Sequence, residues 1–72
     1  MSASNAIRER LKDLNMTQTE LADALGTTRQ NLNNKMNRDN FTAKELSKIG
    51  EVLGCVLIMK ADKEYIIEYN KE

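Results

Sequence analysis

The sequence has no histidine, no proline and a single cysteine, Cys55, among its 72 residues. One cysteine excludes a disulfide within the chain. Without histidine or a cysteine cluster, the usual ligands of a zinc site are missing, and neither a metal nor a cofactor is expected. The lack of proline, of low-complexity linkers and of internal repeats leaves one domain as the simplest organisation. No stretch approaches the ~18 apolar residues of a membrane span. The opening MSASNAIRERLKDL is charged from Arg8 onward and has no apolar run, where an export signal needs an apolar centre. The expectation is a cytoplasmic protein with no membrane contact, and a lone thiol suits that reducing compartment. Cys55 lies in the apolar run CVLIM with no neighbouring cation to activate it, and reads as a small buried hydrophobe.

Catalytic equipment is also scarce. No serine or cysteine stands beside a base, and no glycine-rich loop is built to cradle phosphate. Glu20 and Glu45 have a structural explanation as capping acids, so an enzyme is not expected. Charge of one sign is not in excess, since 11 basic residues meet 11 acidic ones. That balance removes the bulk basic footprint common in nucleic-acid binders, but the charge is polarised. Residues 27–40 carry Arg29, Lys35 and Arg38 against Asp39, while residues 61–72 carry Lys63 and Lys71 against Asp62, Glu64, Glu68 and Glu72. A domain this small buries only about 60% of its unfolded surface, so a partner subunit is a natural source of extra stability.

What is present is mostly helical pattern. Ile7, Leu11 and Leu14 make one stripe over about 5–14, with Ser4 as a cap, Asn15 as an end, and Arg8, Arg10, Lys12 and Asp13 facing away. Thr17-Gln18-Thr19-Glu20 is a capping box opening a helix over 18–25, with Leu21, Ala22 and Leu25 inward and Gly26 as its stop. Thr27 or Thr28 caps a third helix over 29–36, whose apolar stripe is only Leu32 and Met36. Thr42-Ala43-Lys44-Glu45 is a second capping box and opens a helix over 43–53. Its inward residues are Leu46, Ile49, Val52 and Leu53, Gly54 ends it, and Phe41 is placed as a hydrophobic staple. The runs CVLIMK and EYIIEYN, joined by the polar ADKE, read as a β-hairpin from about Val56 to Tyr69. Tyr65, Ile67 and Tyr69 share one side of its second strand, and Ile66 and Glu68 the other. Tyr65 and Tyr69 read as packing residues rather than base-stacking platforms. A lone hairpin is marginal and its open edge invites pairing, so a homodimer through Val56, Ile58, Tyr65, Ile67 and Tyr69 is expected.

The unit with functional content is QTELADALGTTRQNLNNKM. A small Ala22 lets the next helix cross closely, Gly26 makes the sharp turn, and Leu21, Leu25 and Leu32 lock two helices together. The second of these helices is crowded with amides, at Gln30, Asn31, Asn33 and Asn34. Amides both donate and accept, and Asn is otherwise a poor choice inside a helix. The stretch MTQTELADALGTTRQNLNNKM resembles the helix-turn-helix of the Cro/C1 repressor family, also called the XRE family. The resemblance covers about 5–54 and rests on Glu20-Leu21-Ala22, Gly26 and Thr27-Thr28 occurring together. The terminal hairpin is similar to the Cro branch, whose carboxyl-terminal strands help build a dimer.

The resemblance implies a mostly helical fold with a small β part: a four-helix lambda-repressor-like core over 1–54 and a two-stranded antiparallel hairpin over 55–72 in the same domain. It implies a sequence-specific regulator of transcription, a repressor, on double-stranded DNA with a pseudo-palindromic operator. No small-molecule ligand is expected, since a Cro-like size leaves no room for a sensor domain. Arg29, Gln30, Asn33 and Asn34 match base-reading positions. Thr17, Gln18, Thr28, Asn37, Arg38 and Lys44 match or neighbour phosphate-contacting ones. The family often has an apolar residue at the place of Lys35, whereas here it is Met36, which leaves the choice between Asn33 and Asn34 open. The competing reading is a protein-binding module of helix-turn-helix shape, inhibitor or antitoxin-like, which the zero net charge and the acidic, partly apolar tail would suit.

Overall fold

In the computed structural model, which describes residues 2–67, four helices and two strands follow one another: α1 (Ala3–Leu14), α2 (Gln18–Leu25), α3 (Arg29–Arg38), α4 (Ala43–Leu53), β1 (Leu57–Lys60) and β2 (Glu64–Ile67). Every helix opens on a hydroxyl side chain. The Oγ atoms of Ser2, Thr17, Thr28 and Thr42 accept the backbone N–H groups of Asn5, Glu20, Asn31 and Glu45 at 3.0–3.1 Å. Both capping boxes are complete, because the carboxylates of Glu20 and Glu45 accept the N–H of Thr17 and Thr42 at 2.8 Å. Each box satisfies two of the amides that a helix start leaves without an internal partner.

Every helix also closes in the same way. The residue after it is left-handed: Asn15 (φ 54°), Gly26 (φ 73°), Asp39 (φ 53°) and Gly54 (φ 68°). The amide after that returns to a carbonyl five residues back, Met16 to Leu11, Thr27 to Ala22, Asn40 to Lys35 and Cys55 to Gly50, at 2.8–3.2 Å. Glycine takes this backbone without a Cβ penalty, while Asn and Asp are the side chains that best tolerate it.

The core is built from Ile7, Leu11, Leu21, Ala22, Leu32, Met36, Ile49 and Leu53, with Met16, Leu25, Phe41, Leu46 and Val52 packed around it. Phe41 and Leu46 thus both cover the core at the start of α4, as a staple does. Three expectations for α1 are corrected. The helix starts at Ala3, two residues earlier than expected, with Ser2 rather than Ser4 as its cap. Ser4 is buried, because it falls on the same stripe as Ile7 and Leu11. Leu14 is exposed, since the turn at Asn15 brings Met16 onto the core in its place. Arg10 does not face away: it is half-buried and its Nε donates to the Leu53 carbonyl at 2.9 Å, tying α1 to the end of α4.

The hairpin is antiparallel, pairing Leu57 with Ile67, Ile58 with Ile66, Met59 with Tyr65 and Lys60 with Glu64. β1 starts one residue later than expected, so Val56 precedes it, and β2 starts at Glu64, the first residue of the expected run EYIIEYN. The turn over 61–63 is closed by the Ala61 N–H donating to the Lys63 carbonyl at 2.9 Å. β1 packs on α4, and among the described hairpin residues only Leu57 and Ile67 are half-buried. Cys55 is exposed, not buried, because the chain has already left the helices at Gly54. Ile58 lies on the face opposite Tyr65 and Ile67. The expected interface residue Tyr69, and Glu68, lie outside the described residues.

Candidate nucleic-acid interface

The first capping box and first glycine stop fix where α2 begins and ends, and Thr28 starts α3 two residues beyond Gly26. With so short a connection, α3 must pack directly on α2. Its buried face is marked by two side chains one turn apart, Leu32 at 2% exposure and Met36 at 1%. These positions use the i, i+4 spacing of one helix face. Arg29, Gln30, Asn33, Asn34 and Asn37 recur at i, i+1, i+4, i+5 and i+8, so they share another face, and all five are exposed. Burial of Met36 settles the rotation of α3 without disturbing that set, so Asn33 and Asn34 are both on the open surface.

The neighbouring elements add to this face. The Gln18 amide at the start of α2 donates to Asn33 Oδ1 across 3.4 Å, a long contact that brings the two residues side by side. Thr17 and Thr28 each use Oγ as an acceptor for a helix amide, which leaves their O–H groups available as donors. Arg38 is exposed at the end of α3, and Lys44 is exposed in the first turn of α4. Arg29, Arg38 and Lys44 form no ion pair among the described residues. The structure extends α3 through Arg38, so Asn37 and Arg38 sit on its last turn and not in a loop.

Lys35 differs from the other cations of the stretch. Its Nζ pairs with Glu45 Oε2 at 2.8 Å and ties α3 to the capping box of α4. The Lys35 ammonium, with the Thr42 amide second, holds the Glu45 carboxyl below the usual carboxylate range. The Thr17 amide does the same for Glu20. The pair accounts for a lysine where the family often has an apolar residue, since its chain lies between helices while its charge is matched.

Sequence reasoning missed three ties around α3: Lys35 to Glu45, Ser4 to Met36 and Ser4 to Asp39. The signal for Ser4 was present, because positions 4, 7 and 11 make a stripe at i, i+3, i+7. Among the described residues, no three His, Cys, Asp or Glu side chains are grouped to hold a metal ion. None of the helices is long and apolar enough to cross a membrane.

A helix-turn-helix family model matches residues 7–56, well over half of the chain, and ends just before β1. No curated protein and no solved structure matches the chain. The fold, the capped pair α2 and α3 and this match agree, and the chain belongs to the Cro/C1-type (XRE) helix-turn-helix family of DNA-binding regulators.

Proposed function

We propose that the chain is a sequence-specific transcription regulator, a repressor, that reads double-stranded DNA by laying α3 in the major groove. The observation that carries this reading is the division of α3. Leu32 and Met36 anchor one face, while Arg29, Gln30, Asn33 and Asn34 stand together on open surface. A guanidinium bonds O6 and N7 of guanine in paired fashion, and a side-chain amide bonds N6 and N7 of adenine, each good pair giving roughly 1–3 kcal/mol of discrimination. Thr17, Gln18, Thr28, Asn37, Arg38 and Lys44 surround that set and serve as the phosphate contacts that fix register. Only Arg38 and Lys44 among them are cationic, so the slope of log affinity against log salt is small, about −2 per protomer at ~0.9 per neutralised phosphate.

The second element of the proposal is a homodimer. Residues 1–54 form the DNA-binding core and residues 55–72 the dimerisation element of the same domain. Val56, Ile58, Met59, Tyr65 and Ile66 are exposed large hydrophobic side chains on one short hairpin, and exposed apolar surface of this kind marks interaction sites. Val56, Ile58, Tyr65, Ile67 and Tyr69 are the proposed contact residues. Two copies place their α3 helices on half-sites roughly 34 Å apart, which makes the operator pseudo-palindromic. The protein acts in the cytoplasm, where the exposed thiol of Cys55 stays reduced.

Selection of bound sites from random duplex DNA at stated salt tests this reading. A two-fold symmetric site is the expected output. A protein that retains no DNA even at low salt returns the helix pair to the protein-docking alternative.

A further inference from the structure

Two hydrogen bonds spanning 32 and 35 residues of sequence join the first turn of α1 to the last turn of α3. The Ser4 hydroxyl donates to the Met36 carbonyl at 2.7 Å, and the Ser4 backbone N–H donates to Asp39 Oδ1 at 2.8 Å. Each partner supplies what the other end lacks. A helix start has amides without acceptors and a helix end has carbonyls without donors. The Asp39 carboxylate also sits at the positive end of the α1 dipole, where an anion is favoured. Ser4 is 2% exposed, and no other polar residue is buried among the described residues. Asp39 is itself the left-handed residue that ends α3. One aspartate therefore terminates α3 and fastens its end to another helix.

We propose that Ser4 and Asp39 are positioning residues for DNA reading: they set the height and rotation of the last turns of α3, and so where Asn33, Asn34, Asn37 and Arg38 meet the duplex. The assignment rests on the DNA-reading proposal above. The apolar anchors Leu32 and Met36 hold α3 down but are non-directional, whereas hydrogen bonds constrain angle as well as distance. The Gln18 contact to Asn33 is long and exposed, so the short directional ties of α3 lie toward its carboxyl-terminal end, to α1 through Ser4 and to α4 through the Lys35–Glu45 pair. Recognition side chains must stay within about 0.5 Å of the productive geometry, which makes a directional tie at this end consequential. The same turn carries Ala3, which lines a groove of about 170 Å³ with Val56 and Leu57.

Three variants separate positioning from stability. Ser4→Ala removes the hydroxyl, Asp39→Gly keeps the left-handed backbone while removing the carboxylate, and Asp39→Asn keeps an acceptor on a residue that tolerates that backbone. Affinity for the selected site and for unrelated duplex is measured by fluorescence anisotropy, at one salt and at a temperature where circular dichroism shows each protein folded. In Asp39→Gly the ratio of specific to non-specific affinity falls about tenfold, the loss of one charge-assisted hydrogen bond, and in Ser4→Ala, which loses the neutral hydroxyl-to-carbonyl bond, about fivefold. Asp39→Asn restores most of it. Non-specific affinity stays within about twofold in Ser4→Ala, because phosphate attraction does not depend on the angle of α3, and rises equally in the two Asp39 variants, which lose the same negative charge. Should Ser4→Ala fail to fold, the two Asp39 variants decide the matter alone. Variants that melt earlier yet discriminate as well as the parent overturn the assignment and leave the DNA reading intact. A parent that prefers no sequence sinks the DNA reading, and this assignment with it.

Discussion

The helices and the hairpin are stabilised in opposite ways. From Ser2 to Gly54 each helix has a side-chain cap at its start and a left-handed residue after its end, and the core side chains come from all four helices. From Cys55 onward no described side chain is buried, and Met59 and Ile66 are each 61% exposed. The ion pairs follow the same division. Lys35 and Glu45 meet at 2.8 Å between two helices, whereas Lys60 and Glu64 stand 3.8 Å apart on open surface, where such a pair contributes little. The helical region therefore completes its own packing, while the hairpin displays apolar surface that a monomer leaves in water.

The largest expected effect is on the helical side. Leu32→Ala leaves a cavity under α3 and lowers stability by about 3 kcal/mol, read from urea unfolding followed by circular dichroism. A loss under about 1 kcal/mol would mean that the core is looser than its burial implies. Next come the ends of the helices. Thr42→Ala costs about 1 kcal/mol through the lost cap. Gly26→Ala costs about 1–2 kcal/mol, and the origin is purely conformational, since nothing lies within 4 Å of where its Cβ would be.

Acid acts on the same region. The amide of Thr17 lowers the Glu20 carboxyl pKa, the amide of Ser4 lowers that of Asp39, and the Lys35 ammonium lowers that of Glu45. Each folded-state pKa lies below its unfolded value, so the unfolded chain binds more protons and stability rises with pH. The contribution is fully present above the ordinary carboxylate pKa of about 4 and is lost as pH falls through the lower folded values. Thermal melts should hold level from pH 7 to about 5 and then decline, with a shallower decline in Glu20→Gln plus Glu45→Gln.

The smallest stability change is expected in the hairpin. Ile58→Ser alters the unfolding free energy of the dilute protein by less than about 0.5 kcal/mol, as exposed sites do, yet shifts sedimentation toward monomer. Loss of helical signal in that variant would break the contrast between the two regions.

How far the residues announced all this differs between the regions for physical reasons. Thr17 with Glu20 and Thr42 with Glu45 are legible because a capping box is a local arrangement of four residues, and Gly26 and Gly54 are legible because few residues accept a left-handed backbone. Asp39 was not, since Asn37 and Asn40 beside it are equally suited to end a helix, and only the distant Ser4 amide singles out the aspartate. Ser4 was mistaken for a cap because serine serves both as a cap and as a small buried donor. The exposure of Cys55 was hidden for a related reason: an apolar strand reads the same whether its cover comes from its own helices or from another molecule. At the interface, the choice of polar face on α3 followed from Leu32 and Met36, while the pairing of Lys35 with Glu45 depends on how α3 and α4 pack and has no local signature.

The most direct measurement of the central claim compares the parent with the Arg29→Ala plus Gln30→Ala variant on the selected site and on unrelated duplex, at the same salt. If the exposed face of α3 reads base edges, the variant loses at least about 2 kcal/mol on the selected site, from two bidentate pairs at roughly 1–3 kcal/mol each, and changes far less on unrelated DNA. A variant that prefers the selected site as strongly as the parent does would contradict the account.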